Sequence, residues 1–87
     1  MPIVWIPSLM QSLTGGKGTI EVEGNTVRQI VDNLEATFPG IKDRLVDGDR
    51  IRPGLAVAVD AEVSEEGLRQ KVAAESEVHF VAAVSGG

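Results

Sequence analysis

Apolar and polar positions change period several times along the chain, and each change marks an element. The stretch PIVWIP, Pro2 to Pro7, is β-branched and aromatic between two prolines and reads as a strand. Its alternation puts Val4 and Ile6 on one face, Ile3 and Trp5 on the other. After SLMQSL, the run TGGKG is turn chemistry, and TIEVE alternates again with Ile20 and Val22 inward and Thr19, Glu21 and Glu23 outward. Two strands joined through a glycine-rich connection predict a hairpin.

A helical period follows. In GNTVRQIVDNLEATFPG, Val27, Ile30, Val31, Leu34 and Phe38 recur on one stripe, and Thr26 with Gln29 three residues on forms a capping box. Pro39-Gly40 ends it. Ile41 and Leu45 predict one further helical turn before a bend at Gly48. LAVAV (Leu55 to Val59) predicts a third strand with Leu55, Val57 and Val59 inward. The polar segment DAEVSEEGLRQKVAAESE carries Val63, Leu68 and Val72 as core anchors, with a short helical turn around Leu68 to Val72. A fourth strand, Glu77 to Val84, has Val78, Phe80, Ala82 and Val84 on one side and His79, Val81 and Ala83 on the other. Four strands and one long helix predict a two-layer α+β domain, the helix crossing between the second and third strands and covering one face of the sheet.

Composition narrows the function more than the fold. Eighty-seven residues hold one domain, expected over residues 1–84, with Ser85, Gly86 and Gly87 as a flexible tail. No apolar run approaches a membrane span, and the first residues lack the pattern of a signal peptide, so the cytoplasm is the expected compartment. Eight basic against thirteen acidic side chains, a net charge of −5, argue against nucleic acid and favour a partner with a basic docking surface. There is no cysteine, which removes disulfides, thiolate nucleophiles and Cys-based zinc sites, and with His79 the only histidine a Ser-His or His-pair metal centre within one chain is not expected. No metal site and no catalysis by this chain alone are expected.

The candidate residues are few. TGGKGT has a phosphate-loop flavour, but the spacing is wrong and a strand follows where that loop needs a helix; it reads as a hairpin connection. Trp5, the only tryptophan, falls on the face away from the helix, beside His79 and Val81 if the first and last strands are neighbours. There it either forms a docking surface or packs under the SLMQSL loop. His79 by itself reads as an ordinary strand residue. Lys42, Arg44, Arg50 and Arg52 read as solvated charge, as do Glu62, Glu65 and Glu66.

Along nearly its whole length the chain resembles the ubiquitin-like sulfur carriers of the thiamine and molybdopterin pathways, the ThiS/MoaD family. The likeness rests on the opening IVWIP, a loop with TGG, the helix segment T-VRQIVDNLEATFPGIKDRL, VAVDAEV and a closing EVHFVAAVSGG. Val78, Phe80 and Val84 stand in the family's spacing before Gly86-Gly87. LEATFPGIKDRL and VAAVSGG look closest to the branch that pairs with a cysteine synthase, and the tail also suits the molybdopterin branch. Two turns depart from the pattern: Asp60-Ala61 stands where many members have Asn-Gly, and Ala74-Glu75-Ser76-Glu77 replaces a Gly-Asp type turn.

The resemblance implies a β-grasp with the last strand parallel to the first in mid-sheet. It also implies that a partner enzyme adenylates the Gly87 carboxylate with ATP and converts it to a thiocarboxylate. A cysteine synthase or the large subunit of molybdopterin synthase then takes the sulfur. The nucleotide belongs to the activating enzyme, so this chain needs no cofactor. Such chemistry explains a glycine tail, because residues without Cβ pass a narrow channel and Ser85, Gly86 and Gly87 reach about 10 Å. Two other readings share the tail: a modifier joined through Gly87 to target lysines, and a docking subunit that only inserts it.

Overall fold

The computed structural model describes residues 1–83. Val84 and the tail residues Ser85, Gly86 and Gly87 lie outside the described residues, and with them the expected domain boundary.

The first strand, β1 (Ile3–Trp5), is kept short by Pro2 and Pro7, which lack the N–H a ladder needs. A 3₁₀ helix, Ser8–Thr14, carries the chain round to β2 (Thr19–Glu21), antiparallel to β1 as the hairpin reading requires. The buried Thr14 hydroxyl donates to the Lys17 carbonyl at 2.8 Å and pins the glycine-rich turn. Helix α1 (Val27–Thr37) then starts where expected. Thr26 Oγ1 accepts from the Gln29 N–H at 3.2 Å, while Gln29 Oε1 accepts from the Asn25 N–H at 2.8 Å, one residue earlier than a standard box. Val27, Ile30, Val31 and Leu34 make the buried stripe.

Phe38 caps the helix, and Gly40, at φ 103, takes the left-handed turn into α2 (Ile41–Leu45). The Glu35 carboxylate accepts from the backbone N–H groups of Gly40 at 3.0 Å and Lys42 at 2.9 Å, tying the two helices together. These bonds hold Glu35 below the usual carboxylate range, the Lys42 bond contributing most. Two elements follow that the hydrophobic pattern does not announce: β3 (Val46–Asp47) and β4 (Arg50–Ile51) form a separate two-stranded ribbon around Gly48.

The main sheet continues with β5 (Leu55–Val59), β6 (Glu62–Val63) and β7 (Glu77–Ala82), with a 3₁₀ turn at Gly67–Arg69. Its order is β2-β1-β7-β5-β6, with β1 and β7 parallel and every other pair antiparallel. This is the expected α+β, ubiquitin-like arrangement of a mixed sheet on one main helix, the last strand central and parallel to the first. The sheet has one strand more than the four expected, since β6 adds a short edge beyond β5. The core lies between sheet and α1, with Val4, Ile30, Leu34, Ile41, Leu45, Val57, Val78 and Phe80 almost inaccessible.

Two inward assignments need correction. Val63 is not a core anchor: it is 64% exposed, because the turn at Asp60-Ala61 folds β6 back on β5 and sets Val63 opposite Ala58 on the outer face. Ala82 is exposed near the end of β7, although Val78 and Phe80 on the same side are buried. Leu68 and Val72 do anchor the long connection, but the helical turn there covers Gly67–Arg69 and stops before Val72.

Candidate docking face

Strand alternation that sends Val4, Val57, Val78 and Phe80 into the core sends their neighbours to the opposite face of the sheet. Strand register then sorts those neighbours into rows running across the sheet. Glu21, Ile3 and Glu77 form one row. Thr19, Trp5, His79, Ala58 and Val63 form the next. Val81 and Ala56 form a third, toward the C-terminal end of β7.

The middle row is organised around Trp5. Its ring lies on that of His79 with centroids 5.0 Å apart and planes 12° from parallel. The indole N–H donates to Glu77 Oε1 at 3.2 Å, and His79 Nε2 lies 3.7 Å from the same oxygen. Trp5 therefore packs beside the last strand, not under the 3₁₀ helix that follows β1, and stays 44% exposed. Ile3, Val63 and Val81 are exposed as well, which leaves large apolar side chains open on a face whose reverse is sealed. Trp5, His79 and Val81, the sequence candidates, are thus brought together. Glu77, Ala56, Ala58 and Val63 complete the patch and were not singled out; Glu77, two residues before His79 on an alternating strand, was the one available signal.

The two unusual turns brace this face from below. Asp60 and Ala61 both take positive φ, 51 and 72. Asp60 Oδ1 accepts from the Glu77 N–H at 2.9 Å and Oδ2 from the buried Ser76 hydroxyl at 2.8 Å, while Ser76 Oγ accepts from the Ala73 N–H. The Glu77 bond, then the Ser76 bond, hold the Asp60 carboxyl below its ordinary range. Glu77 is fixed in backbone at the start of β7 and in side chain under Trp5. At the far end, the Ala83 N–H donates to the Gly54 carbonyl at 2.9 Å, so β7 is held to β5 as far as the chain is described.

Among the described residues no group of three or more His, Cys, Asp or Glu side chains is placed to hold a metal, and no helix is long and apolar enough to cross a membrane. The basic side chains around the β3–β4 ribbon stay at the surface, and Arg52 spends its guanidinium on the Asp43 carbonyl at 3.1 Å.

Comparison with known proteins gives consistent results. A protein-family model, described as the ThiS family, matches residues 4–87. The sulfur carrier protein CysO of Mycobacterium tuberculosis (strain ATCC 25618 / H37Rv) is 33% identical over 91 residues, covering 97% of this chain and 96% of that protein. In the crystal structure of the Amycolatopsis orientalis BexX/CysO complex, a chain with 32% identity superposes with a TM-score of 0.91 and full coverage of both. The small archaeal modifier protein 1 of Methanosarcina acetivorans, at 18% identity and a TM-score of 0.78 over 99% of this chain and 95% of its own, shares the fold.

Proposed function

The chain belongs to the ThiS family, and from that premise we infer that this sulfur carrier loads its cargo on the carboxyl group of Gly87. A partner enzyme joins that carboxylate to the α-phosphate of ATP, releasing pyrophosphate. Sulfide sulfur then displaces AMP and leaves a thiocarboxylate. The observation that carries this reading is the family match itself, which runs through Gly86 to Gly87 on a chain without a single cysteine. With no thiol available to hold a persulfide, the acyl carbon is the remaining seat for sulfur.

The chain acts here as a protein co-substrate. A carboxylate becomes electrophilic only when its oxygen is made a leaving group, and the nucleotide that does so sits in the partner. The body must therefore deliver the tail with a positional error near 1 Å. β7 supports that task because it is central, tied to β1 and β5 on both sides, and ends beside the apolar row of Val81 and Ala56. Trp5, His79 and Val81 serve as the surface that seats the carrier on the activating enzyme, with Ser85 and Gly86 threading the channel. The acceptor of the sulfur is a cysteine synthase, the molybdopterin and thiamine branches being the alternatives. The cytoplasm, where ATP is abundant, is the proposed setting.

ATP–pyrophosphate exchange tests the first step. Labelled pyrophosphate should enter ATP when the cognate activating enzyme and this chain are both present, and not when Gly87 is removed. Exchange that persists without Gly87 would refute the reading.

A further inference from the structure

The edge of the sheet at β2 carries Thr19, the outermost residue of the Trp5 row, and β1 separates it from β7 with His79 and Val81. Along that edge, Val22 N–H bonds to the Pro2 carbonyl and Ile6 N–H to the Gly18 carbonyl, so Gly18, Ile20 and Val22 direct their backbone groups at the first strand. The N–H and C=O groups of Thr19 and Glu21 therefore point outward from the sheet, and no bond to them occurs among the described residues. Behind this edge runs a groove against α1, lined by Ile20, Leu34, Ala36 and Phe38 together with Asn33, Thr37 and residues of the edge itself. Ile20 and Phe38 are only half-buried there. An unpaired edge of this kind is a template for another strand unless its side chains forbid one.

The side chains of this edge forbid most strands and accept one. Thr19 and Glu21 are exposed on it, flanked by exposed Lys17 in the turn before β2 and exposed Glu23 just after it, in the order basic, neutral, acidic, acidic. We propose that a second copy of this chain pairs with it, β2 against β2, antiparallel about a two-fold axis at Ile20. In that register each Thr19 faces the partner's Glu21, and these are the residues whose outward backbone groups must meet for each pair to exchange both of its bonds. Each Lys17 then lies across from the partner's Glu23, giving two symmetry-related pairs of opposite charge. Ile20 meets the partner's Ile20 over the joined grooves. The other antiparallel registers fail: a shift by one residue turns the wrong backbone groups together, a shift by two one way sets Glu21 against the partner's Glu21, and a shift by two the other way needs the N–H and C=O of Lys17, both already bonded to Thr14, to pair with Glu21.

The interface is isologous and joins both sheets into one, with Thr19 in the contact and the Trp5, His79 and Val81 side chains of both copies on one side, outside the β2–β2 pairing. An edge of this length belongs to the small, transient class of interfaces, so the dimer forms at high concentration. The inference is independent of sulfur transfer, and neither Lys17 nor Glu23 lies in the docking row.

Sedimentation equilibrium of the full chain tests it, from micromolar to millimolar concentration. The average mass should rise above 9.2 kDa toward twice that value. Lys17→Glu or Glu23→Lys alone should weaken association by roughly tenfold, since each replaces both attractive pairs with repulsive ones, and the double variant should restore it. Because both side chains are exposed, circular dichroism should show every variant folded. A mass that stays at 9.2 kDa at millimolar concentration overturns the proposal and leaves the edge to a foreign strand. Single variants that dimerise like the parent, or a double variant that fails to recover, overturn it equally.

Discussion

Ala61 is the residue where the chain most plainly works against itself. At φ 72 its Cβ crowds the backbone in a conformation that glycine takes freely, and Asp60 before it is also left-handed. Ala61 is exposed, so Ala61→Gly should raise stability by about 1 kcal/mol. The melting temperature would show this as a rise of about 4–8 °C. Asp60 compensates in part through its bonds to Ser76 and Glu77, and Glu35 plays the same role between the helices. Both carboxyls titrate below their ordinary values, so each stabilises the fold only while ionised. Their contribution is complete above the unfolded values of 4.5 and 3.8 and is lost as pH falls through the lower folded ones. Thermal melts should therefore decline below about pH 4, and Glu35→Gln with Asp60→Asn should flatten that decline while lowering the plateau at neutral pH.

At the scale of elements, what could be read from the sequence was what repeats locally. The stripe of α1, its Thr26 and Gln29 cap and the alternation of Ile3 to Ile6 are patterns of several residues, and each has its place in the fold. Leu34 sits in that stripe at 1% exposure, so Leu34→Ala should cost about 2–5 kcal/mol by leaving a cavity, measurable by urea unfolding. Thr26→Ala, which removes one cap bond at the same helix, should cost only about 1 kcal/mol. The ribbon of β3 and β4 went unread because two-residue strands are too short to alternate. Val63 was misplaced for a different reason: its side is decided by the Asp60-Ala61 turn and by pairing with Ala58, not by its neighbours in sequence. The docking row divides likewise. Trp5, His79 and Val81 follow from alternation plus one assumed neighbour relation, while Ala56, Ala58 and Val63 need the long-range register of β5 and β6.

Taken as a whole molecule, the protein is graded along its outer face. Glu21 and Glu77 lie at one end, the Trp5 row in the middle, and Val81 with Ala56 toward the end of β7. In the proposed function, this face of a chain carrying −5 overall is the one that meets the partner, with Trp5 as its aromatic anchor. Trp5→Ala should weaken binding to the activating enzyme by about 2 kcal/mol, roughly thirtyfold in Kd, with little change in the maximal rate of adenylation at saturation. Under the proposed threading of the tail, Gly86→Ala should do the reverse, leaving the melting temperature of the body unchanged while severely slowing adenylation, because a Cβ there would obstruct the channel and restrict the backbone. The central claim is that sulfur rides on the carboxyl carbon of Gly87, and the most direct measurement is mass spectrometry of the C-terminal peptide of this protein isolated from its own cells. The account predicts a fraction in which one oxygen of Gly87 is replaced by sulfur. A Gly87 that carries only oxygen, in cells actively making the sulfur-containing product, would contradict it.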